Sequence, residues 1–393
     1  MKKILFCITR LNGGGAERAL SNLTLAMPDE IQIDILVNCE EPEKDYEHRG
    51  NVISITNVDK RLFRIPFPLK VLVGRYYNLW RLKKNGNYDA CISFMDDSNI
   101  TNILTGNQHC KVILSERVTL SETALSKKKK RFAKKKYKKA DKIVSLSKGV
   151  EYDLYKNFDV PLDKLTTIYN GYDSESIRIK AQEIPDIEFD SQCLYFLNMG
   201  RFEELKGQWH LIRAFAEVEK KYPQSRLIIC GQGPYMGMLK EMVADYHIQD
   251  KVLFLGFVKN PYAISKRCDI FVFSSLWEGL ANVVIESMIC GLPIITTDYR
   301  YGAREILAPD TDYKFQLKDG IEFAKYGIIT PVCSGKKYSS QEPLEKAERF
   351  LMEAMIKMIE DKVLRKHYSE EALKRAEDFA IDKKVRQWLE LLD

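Results

Sequence analysis

Glu278 and Glu286 stand in the segment WEGLANVVIESMICGLP (277–293), and no charged residue separates them. A carboxylate in so apolar a stretch is costly unless something pairs with it. A carboxylate also accepts hydrogen bonds from two vicinal hydroxyls, the pattern that ribose and hexose present. The competing reading is a capping or salt-bridged glutamate near a helix start. Arg201 and Lys206 lie in NMGRFEELKGQ (198–208), a glycine-flanked loop between a strand and a helix. A diphosphate would fit there, although single surface cations are usually just solvated. Near the start, RLNGGGAERAL (10–20) places Gly14 and Gly15 where a helix opens, so backbone N–H groups could approach an anion closely. A plain tight turn explains the same glycines. A dinucleotide-binding turn would need a third glycine where this chain has Arg18. Two further glycine loops are CGQGP (230–234), with Gly231, and LGFVKNP (255–261), with Phe257. Asp96 and Asp97 in SFMDDSN and Glu116 and Arg117 in SERVTL end two more apolar runs; each could orient a substrate hydroxyl or simply cap a loop.

These residues need a frame that brings loops together. Short apolar runs at 2–8, 31–38, 90–94, 111–115 and 142–147 alternate with helical patterns, which argues for a parallel sheet covered on both faces. A polar stretch at 171–192 lacks clear periodicity and reads as a linker. The alternation then restarts with CLYFLNMG, RLIICG, KVLFLGF, DIFVFSS and LPIITTD, with helices expected around 207–221, 235–247 and 282–290. In open α/β sheets, ligands collect at the carboxyl ends of the strands, where these loops fall.

The charge is uneven. KKKKRFAKKKYKK (127–139) holds ten basic residues and KRLFRIPFPLKVLVGRYYNLWRLKK (60–84) holds eight, neither with an acid. Without those eighteen the net charge would be −12 rather than +6, so the positive charge is local and suits an anionic partner. In 69–84, Leu69, Leu72, Val73, Tyr76, Leu79 and Trp80 make an apolar stripe flanked by Lys70, Arg75, Arg81 and Lys83. In 127–139, Lys128, Lys129, Arg131 and Lys135 surround a narrow stripe of Ala133, Tyr137 and Ala140. Basic amphipathic helices of this kind suit an anionic lipid surface or a lipid-linked phosphate. No run reaches the roughly 18 apolar residues of a membrane span, and no secretory leader is visible. The nine cysteines form no CxxC pair and sit mostly in apolar runs, which favours a reducing cytosol.

The ordered series of motifs resembles the retaining glycosyltransferases of family 4, which have the GT-B fold. Glu278 and Glu286 with CGLPIITTD look like that family's E-x7-E signature. LNGGGAERAL resembles its N-terminal glycine turn, YNGYD (169–173) its interdomain hinge and GRFEELKG its diphosphate loop; GQGP, LGFVKN and YGAREIL (301–307) follow in the family's order. The resemblance implies two Rossmann-like domains with parallel sheets facing across a cleft. The boundaries would be 1–170 for the acceptor domain, 171–190 for a hinge, 191–375 for the donor domain and 376–393 for a helix crossing back. Glu286 would bind the ribose of a nucleotide-sugar and Glu278 the donor hexose, while Arg201 and Lys206 neutralise the diphosphate leaving group. Gly14, Gly15 and Asn170 would complete the donor side. Backbone groups around Gly231 and Phe257 would hold the base, and those of Gly279 and Leu280 the sugar and phosphates. Fixed cations and N–H dipoles aimed at the departing phosphate would lower the barrier without a metal or cofactor. The D-x-D in PDTDY (309–313) reads as a decoy. Family members often carry a histidine at Arg117, so this departure leaves the acceptor-side contacts of Asp96, Glu116 and Arg117 open.

The expectation is a cytoplasmic, peripheral-membrane enzyme at the inner face of the membrane. It would move a hexose or N-acetylhexosamine from a nucleotide-sugar, most plausibly UDP-linked, to a lipid-linked saccharide in capsule or O-antigen synthesis. The rivals are a nucleotide-sugar epimerase of the same fold, which would not need a cationic acceptor face, and a basic nucleic-acid-binding protein, which would leave the motifs of the second half unexplained.

Overall fold

The computed structural model describes residues 2–55, 67–123 and 125–393, the side chains of 67–70 excepted. Residues 60–66 of the basic stretch at 60–84, and the side chains of 67–70 with Leu69 and Lys70 among them, therefore fall outside the described residues. The chain divides into two compact units, Met1–Tyr172 with Phe379–Asp393, and Asp173–Asp378.

The first unit runs β1 (Lys3–Cys7), α1 (Gly15–Ala26), β2 (Gln32–Val37), β3 (Asn51–Ser54), α2 (Phe67–Asn85), β4 (Ala90–Phe94), α3 (Asp96–Leu104), β5 (Lys111–Glu116), α4 (Lys127–Lys136), β6 (Lys142–Ser145), α5 (Lys148–Phe158) and β7 (Leu165–Thr167). The strand order is β3-β2-β1-β4-β5-β6-β7, and every pairing is parallel. KILFC and ACISF carry no polar alternation because strands in a sheet covered on both faces are buried on both. Phe6 is registered beside Ile35 on one side and Ile92 on the other. Since all strands point one way, the loop before α1, Met95–Asp97 and Arg117 emerge from the same edge. Met95 has φ 72° and ψ 160°, a region that non-glycine residues rarely enter and that often marks a functional loop.

The second unit contains α6 (Ser174–Ala181), β8 (Leu194–Met199), α7 (Gln208–Lys221), β9 (Ser225–Cys230), α8 (Met236–Asp245), β10 (Val252–Gly256), α9 (Pro261–Ser265), β11 (Ile270–Phe273), α10 (Asn282–Ile289), β12 (Ile294–Thr297), α11 (Ala303–Leu307), β13 (Glu322–Ala324), β14 (Gly327–Thr330), α12 (Lys346–Glu360) and α13 (Lys362–Ala376). Its order is β10-β9-β8-β11-β12-β14-β13, parallel except for the edge strand β13. The last helix, α14 (Ile381–Glu390), belongs to the first unit. Its Val385 and Trp388 enter that unit's core, where Trp388 stacks on Phe94 with ring centroids 5.9 Å apart.

Three readings need correction. The supposed linker at 171–192 holds α6, whose Asp173 side chain accepts the Ser176 N–H at 2.9 Å as a helix cap. Only Ile177 and Ala181 are buried on it, too few to produce a visible period. On α2 the expected stripe is split: Leu72, Val73 and Tyr76, with Tyr77, are exposed, while Leu79 is buried together with the flanking Arg75 and Lys83. Arg75 Nε donates to Asn38 Oδ1 at 2.9 Å, and Lys83 Nζ donates to the carbonyls of Asn102 and Gly106, each at 2.9 Å. Those last carbonyls lie at the end of α3, where a cation is favoured. Arg75 is thus no membrane contact. Arg81 is exposed, and half-buried Trp80 has the Lys84 ammonium 5.0 Å from its ring centroid. On α4, Lys128, Arg131 and Lys135 are exposed, but Lys129 bonds Asp96 at 2.9 Å and Asp97 at 2.7 Å. Lys129 therefore serves the fold rather than a lipid surface.

Candidate functional site

In the second unit the strand-end loops are knitted by close backbone approach. Gly200 N–H donates to Cys230 O at 3.0 Å, Phe202 N–H to Gln232 O at 2.9 Å, and Gly231 N–H to Gly256 O at 2.7 Å. A side chain on Gly231 would lie 1.9 Å from Gly200 O, so only glycine lets these loops meet. Gly231 N–H is consumed by this packing and is not offered to a ligand. Phe257, just beyond, presents its ring to solvent at 75% exposure.

This frame seats Lys206 beside Glu278. The ammonium bonds Glu278 Oε1 and also sits 5.2 Å from the Phe273 ring centroid. Ser275 Oγ donates to the same carboxylate oxygen at 3.0 Å. Both charged side chains are largely buried, so their attraction is screened less than a surface pair's would be. Arg201 stands outside this pair, exposed and bridged to Glu203 at 2.8 Å. Glu286 is 3% exposed on the buried side of α10 and accepts a long 3.4 Å bond from Tyr262 OH. Leu280 is buried in the loop between the two glutamates, and the Gly279 carbonyl lies 2.9 Å from where a side chain on Gly302 would begin. Ser275, Phe273 and Tyr262 escaped the sequence reading because they look like ordinary strand and helix residues.

In the first unit Gly14 precedes α1, with Gly15 its first helical residue, and a Cβ on Gly14 would meet the Glu17 carboxylate at 2.4 Å. Asp96 and Asp97 open α3 and share Lys129. Burial lowers the Lys129 ammonium's affinity for its proton, but the bonds to Asp97 and Asp96 outweigh this and its pKa is raised. Glu116 is fully buried. It accepts from Arg117 N–H at 3.1 Å, Tyr137 OH at 3.2 Å and the Asn99 amide at 3.3 Å. Burial, helped by the charge of Asp96, pushes its carboxyl up to about 8 despite these donors. Being closed off from solvent, Glu116 holds the loop rather than touching a substrate. Arg117 donates to Ser115 Oγ at 3.3 Å and to Asn170 Oδ1, and burial lowers its pKa to about 10. Asn99 and Tyr137 carried no sequence signal for this role; Tyr137 reads as one residue of an apolar stripe.

Other motifs are absorbed by structure. Arg304 of YGAREIL ties Asp298, at 2.9 Å, to Glu322, at 2.6 Å. In PDTDY, Asp310 pairs with Lys325 at 2.9 Å and Asp312 accepts the Lys314 N–H at 3.0 Å. His210, Cys333 and Glu345 place possible metal-ligand atoms within 4.8 Å of one another. Both His210 nitrogens are already used, however. Nδ1 lies 2.7 Å from Glu348 Oε1, and Nε2 accepts the Gly335 N–H at 3.2 Å, so the cluster braces α7 against α12.

Comparison with known proteins agrees with this frame. The model for glycosyltransferase family 4 matches residues 13–176, and that for glycosyl transferases group 1 matches residues 180–323. A 4-alpha-N-acetylgalactosaminyltransferase of Campylobacter jejuni, named for a diphospho-undecaprenol-linked saccharide, is 28% identical over 405 residues, 100% of both chains. The crystal structure of Anabaena HepE in complex with UDP superposes with a TM-score of 0.74 at 17% identity, covering 100% of this chain and 99% of that one, a likeness of fold. A glycosyltransferase of uncharacterised activity from Methanocaldococcus jannaschii is 34% identical over 345 residues, 83% of this chain and 84% of its own. Matched across both units at that level of identity, the chain belongs to the GT-B glycosyltransferases of family 4.

Proposed function

We propose that this glycosyltransferase works with retention and without a metal. In this reading it transfers a hexose or N-acetylhexosamine from a UDP-sugar to a lipid-linked saccharide of capsule, O-antigen or another surface glycan. The observation that carries the proposal is the Lys206–Glu278 contact. A diphosphate that draws Lys206 to itself frees Glu278 Oε1 for a sugar hydroxyl, so one ligand satisfies both groups. Arg201, exposed in the same loop, swings from Glu203 to the second phosphate. As the anomeric C–O bond breaks, its electron pair moves to the phosphate oxygen, and these cations stabilise the charge that collects there. Glu286 holds the ribose from within α10.

The acceptor class is supported by the C. jejuni relative that spans the whole chain and is named for a lipid-diphosphate-linked saccharide. UDP is supported by the HepE complex. Among the described residues no helix is long and apolar enough to cross a membrane. The exposed Leu72, Val73, Tyr76 and Tyr77 of α2, with Lys128, Arg131 and Lys135 of α4, favour peripheral attachment at an anionic, cytoplasmic membrane face. A panel of nucleotides and nucleotide-sugars read by thermal shift tests the donor assignment, since a ligand at 100 times its Kd stabilises by about 2.7 kcal/mol. Silence across the panel would sink it. Turnover that survives a chelator supports the metal-free mechanism; turnover restored only by a divalent ion overturns it.

A further inference from the structure

The chain has four tryptophans, and three are engaged by the fold. Trp209 is buried and donates its indole N–H to Lys336 O at 2.9 Å, Trp388 stacks on Phe94, and the Lys84 ammonium lies against Trp80. Trp277 differs. It is 44% exposed, and among the described residues its indole makes no hydrogen bond, ring or cation contact. Its backbone is nevertheless held fast in the loop after β11. The Ser275 carbonyl accepts the Thr297 hydroxyl, and Leu276 N–H donates to Leu205 O at 2.8 Å. Trp277 forms a parallel bridge with Arg300, in the loop after β12. A fixed backbone holds the ring ready, so a ligand need not order it. Bridge partners carry their side chains on the same face, with backbones about 4.8 Å apart, so the exposed Arg300 stands beside the indole. The residues flanking Trp277 turn the other way. Leu276 packs 3.3 Å from where a side chain on Gly207 would begin, and Glu278 bonds Lys206. Such alternation is what an extended segment produces.

We propose, resting on the transferase reading above, that Trp277 and Arg300 form a platform for a pyranose ring of the acceptor saccharide. One face of a pyranose consists of C–H groups and packs on an aromatic ring, while the hydroxyls at its edge take hydrogen bonds. The indole supplies the apolar face and an N–H donor. The Arg300 guanidinium supplies a planar fork for adjacent hydroxyls or an acetamide oxygen. Glu278 is turned towards Lys206 and Trp277 away from it. The ring on Trp277 is therefore not the one that Glu278 holds, which makes it the acceptor's.

The test uses the full chain with excess UDP and titrates the methyl α-glycosides of glucose, galactose, N-acetylglucosamine and N-acetylgalactosamine, with binding read by saturation-transfer difference NMR. At least one glycoside should bind saturably, its ring C–H protons receiving the strongest transfer. Trp277→Ala should weaken that binding about tenfold, the worth of one aromatic contact, and Trp277→Phe should return it to within about threefold of wild type. Arg300→Met should weaken it about fivefold, the loss of one hydrogen bond. UDP affinity, measured by calorimetry, should stay within about twofold in all three variants, which also shows that they fold. Absence of saturable glycoside binding to the wild type overturns the proposal, as does undiminished binding in Trp277→Ala. Displacement of the glycoside by UDP-glucose or UDP-N-acetylgalactosamine, but not by UDP, makes the ring the donor's and overturns it too. Glycoside binding that depends on Trp277 in a chain that does not bind UDP supports the platform and refutes the donor reading instead.

Discussion

Lys206 and Glu278 are each other's partner, and Glu286 is buried apart from them on α10. Their losses should therefore separate. Glu286→Ala should weaken the binding of free UDP, whereas Glu278→Ala should spare it and cut turnover by about two orders of magnitude or more, in the range for removing a group that acts mainly in the transition state. Calorimetry with UDP alongside a transfer assay checks this; equal loss of UDP affinity in both variants contradicts the division of roles. Glu116 makes a second prediction at this scale. A carboxyl of ordinary pKa 4.5 raised to about 8 on folding binds its proton more tightly in the folded chain. The cost of burying its charge is then absent well below pH 4.5, grows as the pH rises, and is complete above about 8. Glu116→Gln, which cannot ionise, should gain stability relative to wild type between pH 5.5 and pH 8.5. Denaturant melts at the two pH values measure that difference, and a constant gap would show that Glu116 is ionised throughout.

At the scale of elements, the loops after β8, β9 and β10 meet so closely that Gly231 has no room for a methyl group. Its φ of +146° adds backbone strain for any other residue. Gly231→Ala should destabilise the second unit by more than about 1 kcal/mol and shrink the thermal shift given by UDP, because Lys206 rides on the same loop system. A variant that melts like wild type would mean that the loops can part freely. The helices taught a different lesson. Composition marks α2 and α4 as basic and amphipathic, but which cations they spend on the fold depends on acceptors supplied elsewhere. Arg75 finds Asn38, Lys83 finds the end of α3, and Lys129 finds Asp96 and Asp97. Leu72, Val73, Tyr76 and Tyr77 of α2 remain exposed, while Leu79 is buried beside Arg75 and Lys83.

At the scale of the molecule, an overall charge of +6 conceals a local excess of exposed cations, Lys128, Arg131 and Lys135 on α4 and Arg81 and Lys84 on α2. If α2 and α4 meet a membrane, binding to vesicles rich in anionic lipid should fall steeply with salt, since each surface cation contributes about 1 kcal/mol and is screened. Lys128→Ser/Arg131→Ser/Lys135→Ser should lower vesicle affinity at low salt. Leu72→Ser/Tyr76→Ser/Tyr77→Ser should lower it even at high salt, because apolar insertion is not screened. Co-sedimentation with vesicles, and with RNA as the rival polyanion, measures both; preference for RNA would favour the nucleic-acid reading of the basic stretches.

By itself the sequence determined two α/β units, the positions of most central strands and the series of glycine loops at their carboxyl ends. Apolar runs and glycine turns are local signals, and they act within a few residues of where they are written. It also singled out Arg201, Lys206, Glu278 and Glu286. Short or marginal elements, such as β3, β7, β13 and α6, were not legible, because a strand of three or four residues or a helix with two apolar anchors has no period to detect. Only the tertiary structure decided which charges are consumed. Lys206 and Glu278 are 72 residues apart in the chain, and Arg75 and Asn38 are 37 apart. Whether a cation faces solvent or a buried acceptor depends on what the fold brings to it, and no local pattern encodes that.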